Sequence, residues 1–279
     1  MSLFNRKKKK VGLALSGGAA RGFAHVGVLD VLCREGIPID MIAGTSAGAV
    51  MGAIYASGQE AAKMVELAIE ASSKKLTLFI DPSLPTTGFL KGKKIQELLS
   101  GYLGGDISFS DLKIPFACVA TDINTGEEVV MNTGSVLDAL RATISIPGIF
   151  TVCKREERYL VDGGLTTPVP VNVVKRMGAD FIIAVNVNAD VSHRMGKASQ
   201  KRVQLHKQPT LLQVLMQSFY ITTYSLARRS LGEADIVIEP DMPHIGTGDF
   251  SKVGEMIAHG QRAAREALPE IKRKLGELE

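Results

Sequence analysis

The octapeptide Ile42-Ala43-Gly44-Thr45-Ser46-Ala47-Gly48-Ala49 constrains this chain more than any other stretch. Residues 40–43 turn apolar toward their end, as a buried strand does. Residues 47–55 are small and apolar, and Gly58 follows as a helix stop. The segment predicts a strand, a sharp turn and a helix, with the Ser46 hydroxyl at the apex. A nucleophile on such a turn sits in strained backbone, and side chains two residues to either side would collide. Glycine at 44 and 48 removes the collision and permits the dihedrals. The new helix also directs its N-terminal amides and the positive end of its dipole at Ser46. Alone, G-x-S-x-G is a weak signal. With 28 glycines in 279 residues it arises by chance about 0.2 times in such a chain, and a turn of small residues packing a helix onto a sheet is the rival reading.

The chain is long enough to bury a sizeable core as one large domain or two small ones. Hydrophobic residues are 45% and charged residues 22%, the balance of a soluble globular protein. Trp is absent and aromatics are 5%, which argues against an aromatic platform for nucleic acid. The net charge of +4 is uneven. Residues 6–10 are five consecutive cations, and residues 191–208 add Arg194, Lys197, Lys201, Arg202 and Lys207 with no acid. Without these ten, 23 basic residues face 29 acidic ones, so the remainder is acidic. Two basic flexible stretches suit a solvated surface or peripheral contact with an anionic membrane. They do not suit nucleic acid, which would want a basic face on a folded element. Cys33, Cys118 and Cys153 show neither C-x-x-C nor metal spacing and read as buried free thiols in a reducing compartment. The apolar run at 11–15 is too short for a secretory signal, and no run spans a bilayer. The expectation is a cytoplasmic protein, soluble or peripheral at the inner membrane surface. Oligomeric state is not readable.

In chain order, residues 11–15 predict a buried strand, 16–22 a glycine-rich turn and 23–35 a helix stopped by Gly36. The second strand and the Ser46 turn follow, which is the opening of a parallel α/β sheet. Helices are expected at 60–72 and 93–103. Residues 74–92 are irregular, and read either as a cover over Ser46 or as a connector. A hairpin is expected over 115–131, and a helix capped by Ser135 to about 143. A short strand at 159–161 leads into Asp162-Gly163-Gly164. Then come a helix at 171–177, a fully buried strand at 181–187 suited to the sheet centre, and a long helix at 211–231. Its Leu212, Leu215, Phe219, Thr222 and Leu226 line one side, read as core-facing in preference to lipid-facing. A strand at 234–238 and a helix at 253–268 complete the chain. Residues 1–10 are then a basic flexible tail, and 11–279 one α/β domain with a flexible basic insert at 191–208.

Three features converge on one chemistry. Ser46 is the candidate nucleophile. Gly17-Gly18-Ala19-Ala20-Arg21-Gly22 follows a strand and opens a helix, so its amides form an anion cradle. Neither dinucleotide nor P-loop spacing is present, so an oxyanion hole is the better use, with a close packing turn as the rival. Asp162 ends a strand and is followed by two glycines; a capping turn is its rival reading. A serine nucleophile usually has a histidine base. His25 lies inside the first helix, His193 and His206 in the basic stretch and His259 on the last helix, leaving His244 as an outside candidate. A Ser46–Asp162 dyad is the other option. It would rely on burial of the acid, the helix dipole and the amide cradle.

Gly17-Gly18-x-x-Arg21-Gly22-x-x-His25-x-Gly27, Gly44-Thr45-Ser46-Ala47-Gly48, Ser145-Ile146-Pro147-Gly148 and Asp162-Gly163-Gly164, in this order, resemble the bacterial patatin-like phospholipases. The resemblance covers roughly residues 11–188. It implies a three-layer α/β/α fold with a mainly parallel sheet, and a Ser–Asp dyad acyl hydrolase. Ser46 would be the nucleophile and Asp162 the base. The Gly17, Gly18, Ala19, Arg21 and Gly22 turn would be the oxyanion hole, with Gly44 and Gly48 shaping the elbow. It implies lipid acyl esters as substrates, no metal and no cofactor. The family often has a third glycine where Ala19 stands, and often Asn where Thr167 precedes Pro168. Two other functions compete: an acyltransferase, which would want a histidine, and a non-catalytic lipid-binding adaptor that keeps the fold.

Overall fold

The computed structural model describes residues 9–73, 81–84, 87–188, 208 and 210–276. Residues 1–8 of the basic tail, 191–207 of the basic insert with His193 and His206, and 74–80 and 85–86 of the irregular segment lie outside the described residues.

Strand β1 (Val11–Leu15) leads through the glycine-rich turn into α1 (Phe23–Arg34), and β2 (Met41–Thr45) pairs with β1 in parallel. Then come α2 (Ala47–Ala56), α3 (Ala61–Ser73), β3 (Gly88–Leu90), α4 (Lys93–Leu103), β4 (Phe116–Asp122) and β5 (Glu128–Met131). Next are α5 (Val136–Thr143), β6 (Gly148–Phe150), β7 (Cys153–Arg155), β8 (Arg158–Asp162), α6 (Val171–Arg176) and β9 (Phe181–Val185). The chain closes with α7 (Leu211–Ser230), β10 (Ile236–Ile238) and α8 (Val253–Leu275). The main sheet has the order β10-β9-β1-β2-β4-β8-β7, with β5 also on β4. The first five strands of that order run parallel. The β5 and β8 strands run antiparallel to β4.

Strand periodicity sorts the core into two layers. Leu13, Leu15, Ile42, Phe116, Phe181 and Ile183 point to one face, under α1, α2, α3, α4, α5 and α8. Ala14, Met41, Ala43, Ala117, Ile182 and Ala184 point to the other, covered by α6 and by Ala227 of α7. Apolar residues at both parities are what a sheet buried on both faces demands. The result is a three-layer α/β/α fold.

Helices α1 and α8 cross where both carry glycine. A Cβ on Gly260 would stand 2.9 Å from the Ala24 carbonyl carbon, and one on Gly27 would stand 2.9 Å from the Gln261 nitrogen. Backbones touch here because no side chain intervenes.

Several expectations need correction. The 211–230 helix is not core-facing along its length. Only Thr223 and Ala227 are buried, while Leu211, Leu212, Val214, Leu215 and Ile221 are exposed. Its burial is confined to the C-terminal half, while Leu212, in the first turn, lies beside Gly148 of β6 and is still exposed. The last helix runs past Pro269 to Leu275, since burial of Leu268 and Ile271 on either side holds the turn that proline weakens. Strand β9 is fully buried yet lies one place from the edge, with β10 outside it. Cys33 is exposed, although Cys118 is buried. Described residues of the 74–92 segment include β3, which pairs with β6 in a separate two-stranded sheet.

The glycine crossing makes a test. Gly260→Ala should cost about 1–3 kcal/mol by overpacking. That would lower the thermal midpoint by about 2–10 °C. Gly254→Ala, on the same helix but facing open space, should leave the midpoint within about 1 °C of wild type.

Candidate active site

Ser46 takes the step between β2 and α2 with φ 51° and ψ −122°. A residue with a Cβ enters this region at a cost of about 1–3 kcal/mol. Its neighbours hold it there. The Ser46 amide donates to Thr143 Oγ1 at 2.9 Å, and the Thr143 hydroxyl donates in turn to the Val119 carbonyl. The two flanking glycines are needed for space alone. A Cβ on Gly44 would come within 2.5 Å of the Ala49 backbone, and one on Gly48 within 2.5 Å of Ser16 O. Neither glycine has a positive φ; the strained dihedral belongs to the serine itself.

Strand β4 brings the acid to the serine. Its Val119 pairs with Thr45 of β2, and its next residue, Ala120, pairs with Asp162 of β8. Consecutive positions of one strand thus align the residue before Ser46 with Asp162. The Asp162 amide donates to Ser145 O at 3.0 Å. Ser145 is fixed by Arg141, whose Nη1 donates to its Oγ at 2.6 Å. Gly163 must be glycine, because a Cβ there would stand 2.7 Å from the Val119 carbonyl carbon.

The Asp162 carboxylate is buried. Oδ1 accepts from the Gly164 amide at 2.8 Å, while Oδ2 has no hydrogen-bond partner of ordinary geometry among the described residues. Burial raises its pKa from 3.8 to about 6, against the smaller opposing pull of the nearby Ser46 hydroxyl and the Gly164 amide.

The glycine-rich turn faces the same cleft: a Cβ on Gly17 would lie 3.4 Å from Ser46 Cβ. Its amides are not equally available. Gly17 N donates to Pro168 O at 3.0 Å, Ala20 N to Thr247 O at 3.1 Å, and Arg21 N to Gly18 O at 3.1 Å. Gly22 serves packing, since a Cβ there would stand 2.5 Å from Ala47 Cβ. The amides of Gly18 and Ala19 donate to no acceptor among the described residues. The five-residue cradle read from the sequence narrows to these two. Ala19 has φ 49°, a conformation that glycine adopts without cost, so alanine carries some strain at this position.

None of the three described histidines hydrogen-bonds to Ser46. His25 Nε2 donates to Ser16 O at 2.8 Å, and complete burial lowers its pKa to about 4, so it is a neutral brace of the turn. His244 meets Glu255 and His259 on α8 instead. Among the described residues, 81–84 and 87–92 do not line the cleft; Ile146, Asn188 and, from α7, Phe219, Tyr220 and Thr223 do. Sequence reading missed Thr143 and the aromatic pair on α7. No motif marks Thr143, and Phe219 was assigned to a core-facing stripe.

Comparison with known proteins follows the same lines. The sequence model of the family described as patatin-like phospholipase matches residues 13–175. The chain is 30% identical over 275 residues to an uncharacterized NTE family protein of Mycobacterium tuberculosis, covering 93% of this chain and 46% of that relative. It is 28% identical over 285 residues to a protein of Coccidioides immitis named a lysophospholipase, covering 96% of this chain and 18% of the relative. The chain thus spans less than half the length of either. Its fold is similar to the type III effector protein ExoU, with a TM-score of 0.51 at 15% identity, covering 98% of this chain and 54% of that one.

Burial of Asp162 has a thermodynamic consequence. A carboxyl with a pKa of about 6 when folded, against 3.8 when free, destabilises the fold by roughly 3 kcal/mol once pH exceeds about 6. Below 3.8 both states are protonated and the penalty vanishes. Asp162→Asn should therefore raise the thermal midpoint at pH 8, and the gain should shrink as pH falls from 6 to 4. Midpoints of both proteins across that range check it.

Proposed function

This chain belongs to the patatin-like phospholipase family, and from that premise we propose that it is a serine esterase acting on acyl ester bonds of phospholipids or lysophospholipids. One observation carries the proposal: strained Ser46, the open oxygen of buried Asp162 and two unused amides line one cleft. The fungal relative named a lysophospholipase supports the substrate class.

In this reading Asp162 Oδ2 takes the Ser46 proton as Oγ attacks the ester carbonyl carbon. The carbonyl oxygen becomes an oxyanion and accepts from Gly18 and Ala19 N–H, donors whose individual loss costs about 3–4 kcal/mol of transition-state stabilisation. The tetrahedral intermediate collapses, and protonated Asp162 gives its proton to the departing alkoxide. Asp162 then deprotonates a water that attacks the acyl-Ser46 carbonyl, and returns that proton to Ser46 Oγ as the fatty acid leaves. A pKa near 6 suits this work: the group is ionised at pH 7 yet more basic than an ordinary aspartate. An apolar pocket starts one turn along α2 from Ser46, at Val50 and Met51, and is walled by Phe23, Ile54 and Leu99. It offers an acyl chain a site.

Substrate would reach the cleft along α7. Phe219 and Tyr220 line the cleft, and the exposed Leu215 (51%) and Leu211 (76%) stand about one and about two and a half turns toward the helix start. These leucines would insert into a lipid surface, with the basic residues that precede the helix in sequence against anionic headgroups.

A fluorophosphonate should add its mass to Ser46, and Ser46→Ala or Asp162→Asn should lose lipid hydrolysis by at least about a thousandfold. Label elsewhere, or an active Ser46→Ala, would sink the mechanism. The double variant Leu211→Asp, Leu215→Asp should lower turnover of anionic vesicles more than turnover of a short soluble ester, and salt should weaken vesicle binding. Equal losses on both substrates would remove α7 from any role at the membrane.

A further inference from the structure

We propose that His244, Glu255 and His259 form a surface site for a divalent transition-metal ion of the zinc class. The donor atoms of the three side chains all lie within 4.8 Å of one another. Glu255 and His259 are one turn apart on α8, so they rise from the same face. His244 arrives from the loop between β10 and α8 and places Nε2 2.5 Å from Glu255 Oε1. The two imidazole rings are 5.7 Å apart, centre to centre.

The donor set selects the ion. Two imidazoles and one carboxylate are a zinc set, leaving a fourth position for water. Calcium would want six or more oxygens and magnesium an octahedron of them. Charge alone does not draw a cation here: Lys252 lies near Glu255, and Arg262 near His259, with Asp241 opposing it. Coordinate bonds to imidazole nitrogen are what would hold the ion. A tetrahedral zinc sets its donors roughly 3.3 Å apart. Side chains as exposed as His244 (48%) and Glu255 (42%) close that difference by rotation.

The site has a structural reach. The residue after His244 is Ile245, whose carbonyl accepts from Arg21 Nε at 2.8 Å and Nη2 at 2.5 Å. Thr247 O accepts from Ala20 N. An ion that ties His244 to α8 therefore fixes the loop that braces the 18–22 turn. Only the bearing of this on catalysis rests on the esterase reading; the ion site does not.

The test uses the full chain, stripped with chelator and titrated with zinc chloride by calorimetry and with cobalt(II) by visible absorption. One equivalent should bind with micromolar or tighter affinity, and cobalt should show tetrahedral bands. Glu255→Gln and His259→Ala should each weaken binding at least about tenfold. The His193→Ala, His206→Ala double variant should bind as wild type, and so should Ser46→Ala, whether or not the chain proves to be an esterase. Zinc should slow amide exchange at 18–22 and 244–248 in wild type and not in His259→Ala. No stoichiometric binding, binding that survives loss of both His244 and His259, or binding lost with His193 and His206 would overturn the site. Binding without slowed exchange would overturn its link to the turn.

Discussion

The close approach of α2 to the ends of β1 and β2 is the constraint on which the rest of this structure depends. Gly48 lies against Ser16 O, and Gly44 against the Ala49 backbone. With the helix pressed this near, the connection has one residue in which to reverse direction, and Ser46 takes it at φ 51°. The strain is held from outside by Thr143, itself bonded to β4. The same strand registers Asp162 beside the serine. The relative position of Ser46 and Asp162 is therefore a property of the sheet, and precision of this kind is easier to keep on strands than on loops.

Burial of Asp162 shows the same arrangement from the side of stability. Burial disfavours a charge there, and Asp162 Oδ2 has no hydrogen-bond partner of ordinary geometry among the described residues. Among the described residues the Gly18 and Ala19 amides likewise meet no acceptor, while Gly17 N and Ala20 N donate to Pro168 O and Thr247 O.

Much of this was legible in the sequence, for identifiable reasons. Continuous apolar runs such as Val11–Leu15 and Phe181–Val185 carry their own evidence of burial, and glycine marks close approach at 44 and 48. Strand pairing is not local. Nothing near Asp162 says that it lies one register step from Thr45 across β4. The 17–22 turn read as five equivalent donors because backbone amides look alike in a sequence; which are already bonded depends on Pro168 and Thr247, far along the chain. Helix α7 misled for another reason. Its leucines recur at helical spacing, and spacing alone does not say whether a protein or a lipid surface covers them. No helix among the described residues is long and apolar enough to cross a membrane.

The central claim is that Asp162, raised by burial, is the base for Ser46. The most direct measurement is the rate of fluorophosphonate labelling of Ser46 against pH, in wild type and in Asp162→Asn. The wild-type rate should climb with pH through a midpoint near 6 and level off above it. The variant should label far more slowly and show no step there. A wild-type rate with no step near pH 6, or an unchanged step in Asp162→Asn, would contradict the account.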